Sequence, residues 1–376
     1  MRAAFRDPDK RFLLITSFLA ILSLGALQAM YGPAFPGLTD RFDIGIERVG
    51  LPVVLHFAGS FATTAAAAVL LTSLGYRRTM VAASSSLLMG ILIVAFASTW
   101  SWVLAGALLG GIGFGALNVS FNLLVARAFA PNAAPQLNLL SAVFGVGAVL
   151  GPLAVGMAGS SLRLPFLGLA MVAAMATILT MRLHEPTVAK GSGEERMPWL
   201  VAGGFLLMYF LYVACEAGVA SWETVHLEPS LGARGAAYMT SVYWGAVTVG
   251  RLLAVPVSAF VRPRVLVLVV TTVALAALFA AHVTALAPFA YALAGLAFAP
   301  VFPTGLAWLQ RVFPRRSERV VPIVLAAANL GPVVTTGAIG ALVAWGGPGL
   351  VPTALSGIAT LLLVMVVSLW WVTRDA

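Results

Sequence analysis

A run of about 20 mostly apolar residues is long enough to cross a bilayer as a helix. This chain contains twelve such runs, at 12–36, 49–71, 79–98, 102–126, 135–159, 163–183, 199–225, 236–259, 264–283, 287–311, 320–345 and 349–372. Within lipid every backbone polar group must be satisfied inside its own segment, so runs of this length are read as helices. Only 9% of the 376 residues are charged, against about 25% in soluble domains. That is too few to cover a water-facing surface. The expected fold is therefore an all-α membrane protein with twelve transmembrane helices. The net charge of +9 would suit nucleic acid, but the basic residues cluster between the apolar runs, where membrane topology explains them. No nucleic-acid partner is expected.

Orientation follows from those clusters. With the N-terminus in the cytoplasm, cytoplasmic segments hold 17 Lys and Arg residues and outer loops hold 4, with Arg251 inside a helix. Such asymmetry is the positive-inside signature, and an even helix count puts both termini in the cytoplasm. The first run is too long for a signal-peptide core and reads as a retained helix. Twenty arginines against Lys10 and Lys190, with abundant alanine, point to a GC-rich bacterial genome and a multi-pass protein of the bacterial cytoplasmic (inner) membrane. Cys215 is the single cysteine, so no internal disulfide and no cysteine metal site is expected.

The chain repeats itself. A shift of 184 residues carries Gly111, Phe114, Arg127 and Phe129 onto Gly295, Phe298, Arg311 and Phe313. A shift of 186 carries Gly59 and Arg78 onto Gly245 and Arg264, and a shift of 180 carries Leu150-Gly151-Pro152 onto Leu330-Gly331-Pro332. Two parallel six-helix repeats are a transporter architecture, with the substrate site between them near the midplane. The polar stretch in the middle divides the chain into an N-terminal bundle at 1–183, a cytoplasmic linker at 184–198 and a C-terminal bundle at 199–376.

These features resemble the major facilitator superfamily over the whole chain. The carrying residues are Tyr212-Val213-Ala214-Cys215-Glu216 with Trp222, Thr240-Ser241-Val242-Tyr243-Trp244-Gly245 with Gly250-Arg251, and Leu139-Leu140 with Phe144-Gly145-Val146-Gly147 and Gly151-Pro152. By these residues the sequence is most similar to the fucose and glucose permease-like branch. The resemblance implies the two-bundle fold, a cavity lined by the first, fourth, seventh and tenth helices, and gating by the loop after the second helix. In that loop Gly75-Tyr76-Arg77-Arg78 fits the family pattern, while Thr72 stands where an Asp is usual and Ala68 where a Gly is. The first helix lacks a buried Asp and offers Gln28 and Tyr31 instead.

Ionisable residues inside a membrane are costly, about 2.5–3.5 kcal/mol each on insertion scales, and mark function. Glu216 stands out as the carboxylate inside an apolar run, with Glu223 and Glu228 at or beyond the helix end. Glu216 and His56 are the expected proton-coupling pair. Depth counted at about 1.5 Å per residue puts Gln28, His56 and Tyr243 in the layer of Glu216, and Arg251, Asn118 and Asn329 in a deeper one. Arg251 is then about six residues from Glu216 in depth and reads as a structural and gating residue with Arg77 and Arg78. Asn118 and Asn122 share one helix face. The expected substrate-binding set is Gln28, Tyr31, Asn118, Asn122, Glu216, Trp222, Tyr243, Trp244, Trp308 and Asn329, where amides and hydroxyls meet solute hydroxyls and indoles stack on rings. Gly106/Gly110, Gly111/Gly115 and Gly147/Gly151 read as close helix packing.

No catalytic constellation, metal site or cofactor motif occurs, so an enzyme is not expected. The expected function is secondary active transport, proton-coupled, of a small neutral polar solute such as a sugar by alternating access. Its partners are that solute, protons and the lipid bilayer, and the protein is expected to act as a monomer. The alternative is an exporter of drugs or hydrophobic metabolites, favoured by Gly147-x-x-x-Gly151-Pro152.

Overall fold

The computed structural model describes residues 7–130, 133–159, 161–183, 199–313 and 317–374. The expected linker at 184–198 and the basic residues Arg315 and Arg316 lie outside the described residues. Among the described residues there is no strand. The helices are α1 (Pro8–Phe42), α2 (Ile46–Val49), α3 (Leu51–Ser73), α4 (Tyr76–Phe96), α5 (Trp100–Ala128), α6 (Ala134–Ala158), α7 (Arg163–Thr180), α8 (Trp199–Phe260), α9 (Pro263–Ala280), α10 (Ala287–Phe298), α11 (Val301–Val312), α12 (Ser317–Gly346) and α13 (Val351–Val372), with a 3₁₀ turn at Pro348–Leu350.

Eleven of these segments are long and apolar enough to cross a membrane. One of them, α8, has 62 residues and as a straight rod would reach about 93 Å, roughly three times a bilayer's apolar thickness. Gly232, with φ 70°, breaks it. Glycine lacks the Cβ that makes this backbone region unfavourable, so the chain folds back there. Thr224 and Thr240, each eight residues from Gly232, bring their hydroxyls within 3.0 Å. Counting the two arms of α8 separately gives twelve crossings, as the apolar runs predict. Large apolar side chains such as Leu200, Phe260, Phe289 and Met171 stand exposed, as expected of surfaces that meet lipid rather than water.

By internal contacts the chain forms two units: Met1–Met30 with Leu55–Gly193, and Tyr31–Val54 with Glu194–Ala376. In the first, α4 packs on α5 and α7, and α6 touches both α5 and α7. Small residues allow this closeness. A Cβ on Gly90 would meet the backbone of Gly106 and Gly110. One on Gly111 would meet the carbonyl of His56, and one on Gly147 or Gly151 the carbonyl of Leu22 or Ala26. The glycine pairs picked out in the sequence are thus points of backbone contact. In the second unit α8 packs on α10, α12 and α13, and α2 packs on α12. There Gly331 meets the carbonyl of Phe210, Gly295 that of Tyr243 and Gly250 that of Leu296.

Two helices run longer than the sequence suggests. The first continues past Pro36 to Phe42, and the first arm of α8 continues past Val225 to the break at Gly232. Prolines and acids at these ends read as loop residues, yet the backbone stays helical through them.

Candidate polar centre in the second unit

Tyr212 and Glu216 are one helical turn apart on the first arm of α8, so their side chains share a face. The Tyr212 hydroxyl donates to Glu216 Oε1 at 2.7 Å. The second arm supplies Tyr243, whose hydroxyl donates to the Glu216 carbonyl at 3.0 Å, and Arg251, whose Nη2 lies 3.6 Å from Glu216 Oε1. Glu216 is buried, 7% exposed. A carboxylate at such a place is tolerable when paired and hydrogen-bonded, and here it is both.

The ion pair overturns the expectation that Arg251 lies too deep to reach Glu216. That depth was counted from a helix end at Val225. The true reference is the break at Gly232: Glu216 lies 16 residues before it (232 − 216) and Arg251 lies 19 after it (251 − 232). The difference of three residues is about 4.5 Å of rise, which a long guanidinium side chain spans. Glu223 is corrected as well. It is not at a helix end but inside the first arm, fully buried.

Aromatic rings of α8, α10 and α11 close around the pair. Tyr212 lies edge-on to Phe298 at 6.1 Å between centroids and tilted against Phe302 at 6.4 Å. Tyr209 stands edge-on to Tyr212 and donates to the Phe302 carbonyl at 2.7 Å. Sequence reasoning missed Tyr209, Tyr212, Phe298 and Phe302 as site residues. The same four-residue spacing that singled out Asn118 and Asn122 would have found Tyr212 beside Glu216. Chemically, a carboxylate, a guanidinium, phenol hydroxyls and ring faces suit a solute with hydroxyl groups and an apolar face.

The remaining candidates fall elsewhere. Trp244 is buried beside Tyr243, the two rings edge-on at 5.5 Å. Trp222 is buried against Phe35, at 5.4 Å, in the packing of Tyr31–Val54 on α8. Tyr31 is buried in the same unit. Trp308 donates its indole N–H to Thr373 Oγ1 at 3.1 Å and packs edge-on against Phe205, a tie between α11 and the end of α13. Asn329 donates to the Leu325 carbonyl of its own helix at 3.2 Å.

In the first unit, His56 is buried with its ring edge-on to Phe114 at 4.9 Å and to Phe57 at 5.5 Å. Gln28 is half-buried. Asn122 donates to Asn118 Oδ1 at 3.0 Å and to its carbonyl at 2.8 Å, so the two amides do share a face, with Asn118 exposed. Arg77 donates to the Met181 carbonyl at 2.8 Å beyond the end of α7. With Arg78 it lines a recess of about 780 Å³ together with Leu74, Gly75 and Met181. That recess lies at helix ends rather than at a polar core. Thr72, in the position usual for Asp, donates to the Val69 carbonyl of its own helix at 3.1 Å. Among the described residues no group of three or more His, Cys, Asp or Glu side chains is placed to hold a metal.

Comparison with known proteins places the chain in a family. The chain is 21% identical to the sodium-dependent glucose transporter 1A of Mus musculus, over 86% of this chain and 88% of that protein. Its fold matches a variant of the nucleoside transporter NupG with a TM-score of 0.79 at 13% identity, covering 96% of this chain and 100% of that one. It matches a D-xylose-proton symporter with a TM-score of 0.77 at 14% identity, covering 95% and 97%. The family model described as Major Facilitator Superfamily matches residues 17–226, more than half of the chain. This protein belongs to the major facilitator superfamily of membrane transporters.

Proposed function

We propose that this transporter moves a small neutral polar solute, such as a sugar, by alternating access, and that proton binding at Glu216 drives its accumulation. The observation that carries this reading is the buried pair of Glu216 and Arg251 at 3.6 Å with the Tyr212 hydroxyl on the same carboxylate oxygen. A proton and Arg251 compete for that carboxylate. When Glu216 is ionised, it holds the guanidinium and accepts from Tyr212. When a proton binds, the attraction is lost and both the guanidinium and the phenol are released to solute hydroxyls. A ligand shifts an equilibrium only by its differential affinity for two states. A solute that prefers the released guanidinium therefore favours the protonated protein, and the two bind together. His56, in the other unit, is proposed as a second member of the coupling machinery. A bacterial inner-membrane location with both termini in the cytoplasm fits the charge asymmetry.

The test is uptake by the purified protein in lipid vesicles, with radiolabelled D-glucose, D-xylose and uridine as probes. A pH gradient should drive accumulation of at least one sugar. The Glu216→Gln variant, which mimics the protonated form, should keep solute exchange and lose accumulation. Normal gradient-driven accumulation by this variant would sink the coupling role. The name of the mouse relative supplies a second reading, in which sodium takes the proton's place; a sodium gradient acting alone would establish it. The exporter alternative, favoured by Gly147-x-x-x-Gly151-Pro152 and the paucity of buried charge, loses part of its support, because backbone contact of both glycines with α1 accounts for them as packing residues.

A further inference from the structure

Glu223 is the second carboxylate enclosed in the second unit. It lies on the first arm of α8 seven residues from Glu216, two turns along nearly the same face. Its side chain is fully buried, and neither ion pair found among the described residues includes it. The Thr240 hydroxyl faces it in a geometry short of a full hydrogen bond, and is itself 3.0 Å from the Thr224 hydroxyl. The N–H of the adjacent Trp222, and the hydroxyl of Ser241 next to Thr240, are also buried without hydrogen bonds.

The titratable surroundings are sparse. On α8, Glu216 lies on one side and His226 on the other, and the second arm brings Tyr243 within electrostatic range. From α10 comes Tyr291, close enough for the same. The α13 helix and the 3₁₀ turn carry no titratable residue, and α11 has only Arg311, in its last turn. The packed segment Tyr31–Val54 brings Tyr31, which is buried, while its charged residues, such as Asp40, Glu47 and Arg48, are exposed. On α12 the charged residues Glu318 and Arg319 sit in its first turn. Among the described residues no guanidinium or ammonium is paired with Glu223. The Tyr291 hydroxyl is 2.8 Å from Nδ1 of the half-buried His226, so a polar chain leads from the Gly232 end of α8 toward the carboxyl.

We propose that Glu223 is a second protonation site of this transporter, one that takes up a proton with no partner arginine, by way of His226 and Tyr291. An enclosed carboxyl without a cation is far more stable neutral than ionised. Glu216, paired with Arg251, and Glu223, enclosed without a cation, thus divide the acid chemistry of α8 between an ion pair and a neutral acid. In the transfer one proton from the aqueous phase forms one O–H bond on the Glu223 carboxylate, and its charge is neutralised. This assignment stands independently of the solute and of the role of Glu216.

Infrared difference spectroscopy on the full-length protein in lipid, stepped from high to low pH, tests it without a solute. Beside any contribution from Glu216, a distinct protonated-carboxyl band that shifts in D₂O should appear in the parent protein, vanish in Glu223→Gln and persist in Glu216→Gln. Should Glu223→Gln fail to fold, Tyr291→Phe, which removes the hydroxyl and keeps the ring, should move the midpoint pH of the same band. Persistence of the band in Glu223→Gln, its loss in Glu216→Gln alone, or an unmoved midpoint in Tyr291→Phe would overturn the proposal. Loss of the band in sodium chloride but not in choline chloride would make this a sodium site and overturn it equally.

Discussion

The same helix crossing is built twice with different chemistry. In the first unit Gly111 meets the carbonyl of His56, and Thr63 Oγ1 donates to the Ile112 carbonyl at 3.0 Å. In the second unit Gly295 meets the carbonyl of Tyr243, and Gly250 meets that of Leu296. Ile112 and Leu296 are 184 residues apart, as are Gly111 and Gly295, while His56 and Tyr243 are separated by 187. Likewise Gly151 meets Ala26 and Gly331 meets Phe210, again 184 apart (210 − 26). These contacts fix the equivalences residue by residue. At these contacts the second and eighth crossings are 187 apart, one more than the 186 that aligns Gly59 with Gly245; by the contacts Glu216 corresponds to Gly32 and Arg251 to Thr64. The backbone contacts are shared, while the acid and its guanidinium exist in one copy. Duplication supplied the scaffold, and the two copies then diverged in the side chains that point into it.

Three further experiments would break or sharpen this contrast. The largest effect is expected from Arg251→Ala, which strands a buried carboxylate at a cost of about 3–5 kcal/mol. Thermal unfolding should show a large loss, mostly restored by adding Glu216→Gln. If the double variant is no more stable than the single one, the pair is not what stabilises the second unit. Next, Gly111→Ala forces a Cβ against a backbone carbonyl, and about 1–3 kcal/mol of strain is expected. Gly295→Ala should cost less, because its Cβ has 2.8 Å from Tyr243, a closer fit to ordinary contact. Equal losses would mean that the crossings are less alike than their contacts indicate. The smallest effect is expected from Trp308→Phe, about 0.5–1.5 kcal/mol for one hydrogen bond, with solute transport kept. A loss of transport with a normal melting temperature would return Trp308 to the solute site.

The apolar runs made the helices legible because a bilayer leaves the backbone no other way to satisfy itself. The repeat was legible because contact glycines tolerate no substitute. Depth was not. The apolar run at 199–225 ends before the polar residues around Glu228 and Pro229, whereas the helix carrying them continues to Gly232. That misplaced end hid both the pairing of Arg251 with Glu216 and the burial of Glu223. Trp308 was misread for another reason: an indole in an apolar run looks the same whether it meets a solute or ties a helix end to Thr373.

The arginines that follow the second and eighth crossings have a consequence for how the chain is made. Arg77 holds the carbonyl of Met181, and Arg264 holds those of Thr373 and Arg374 at 3.2 and 2.6 Å. Each reaches a carbonyl at the end of the last helix of its own half, where backbone acceptors lack partners within the helix. Each residue that clasps is synthesised roughly a hundred residues before the one it clasps. During insertion, therefore, each half stays unlatched until its sixth helix has emerged, and a ribosome paused earlier leaves an arginine at the membrane surface with nothing to close upon.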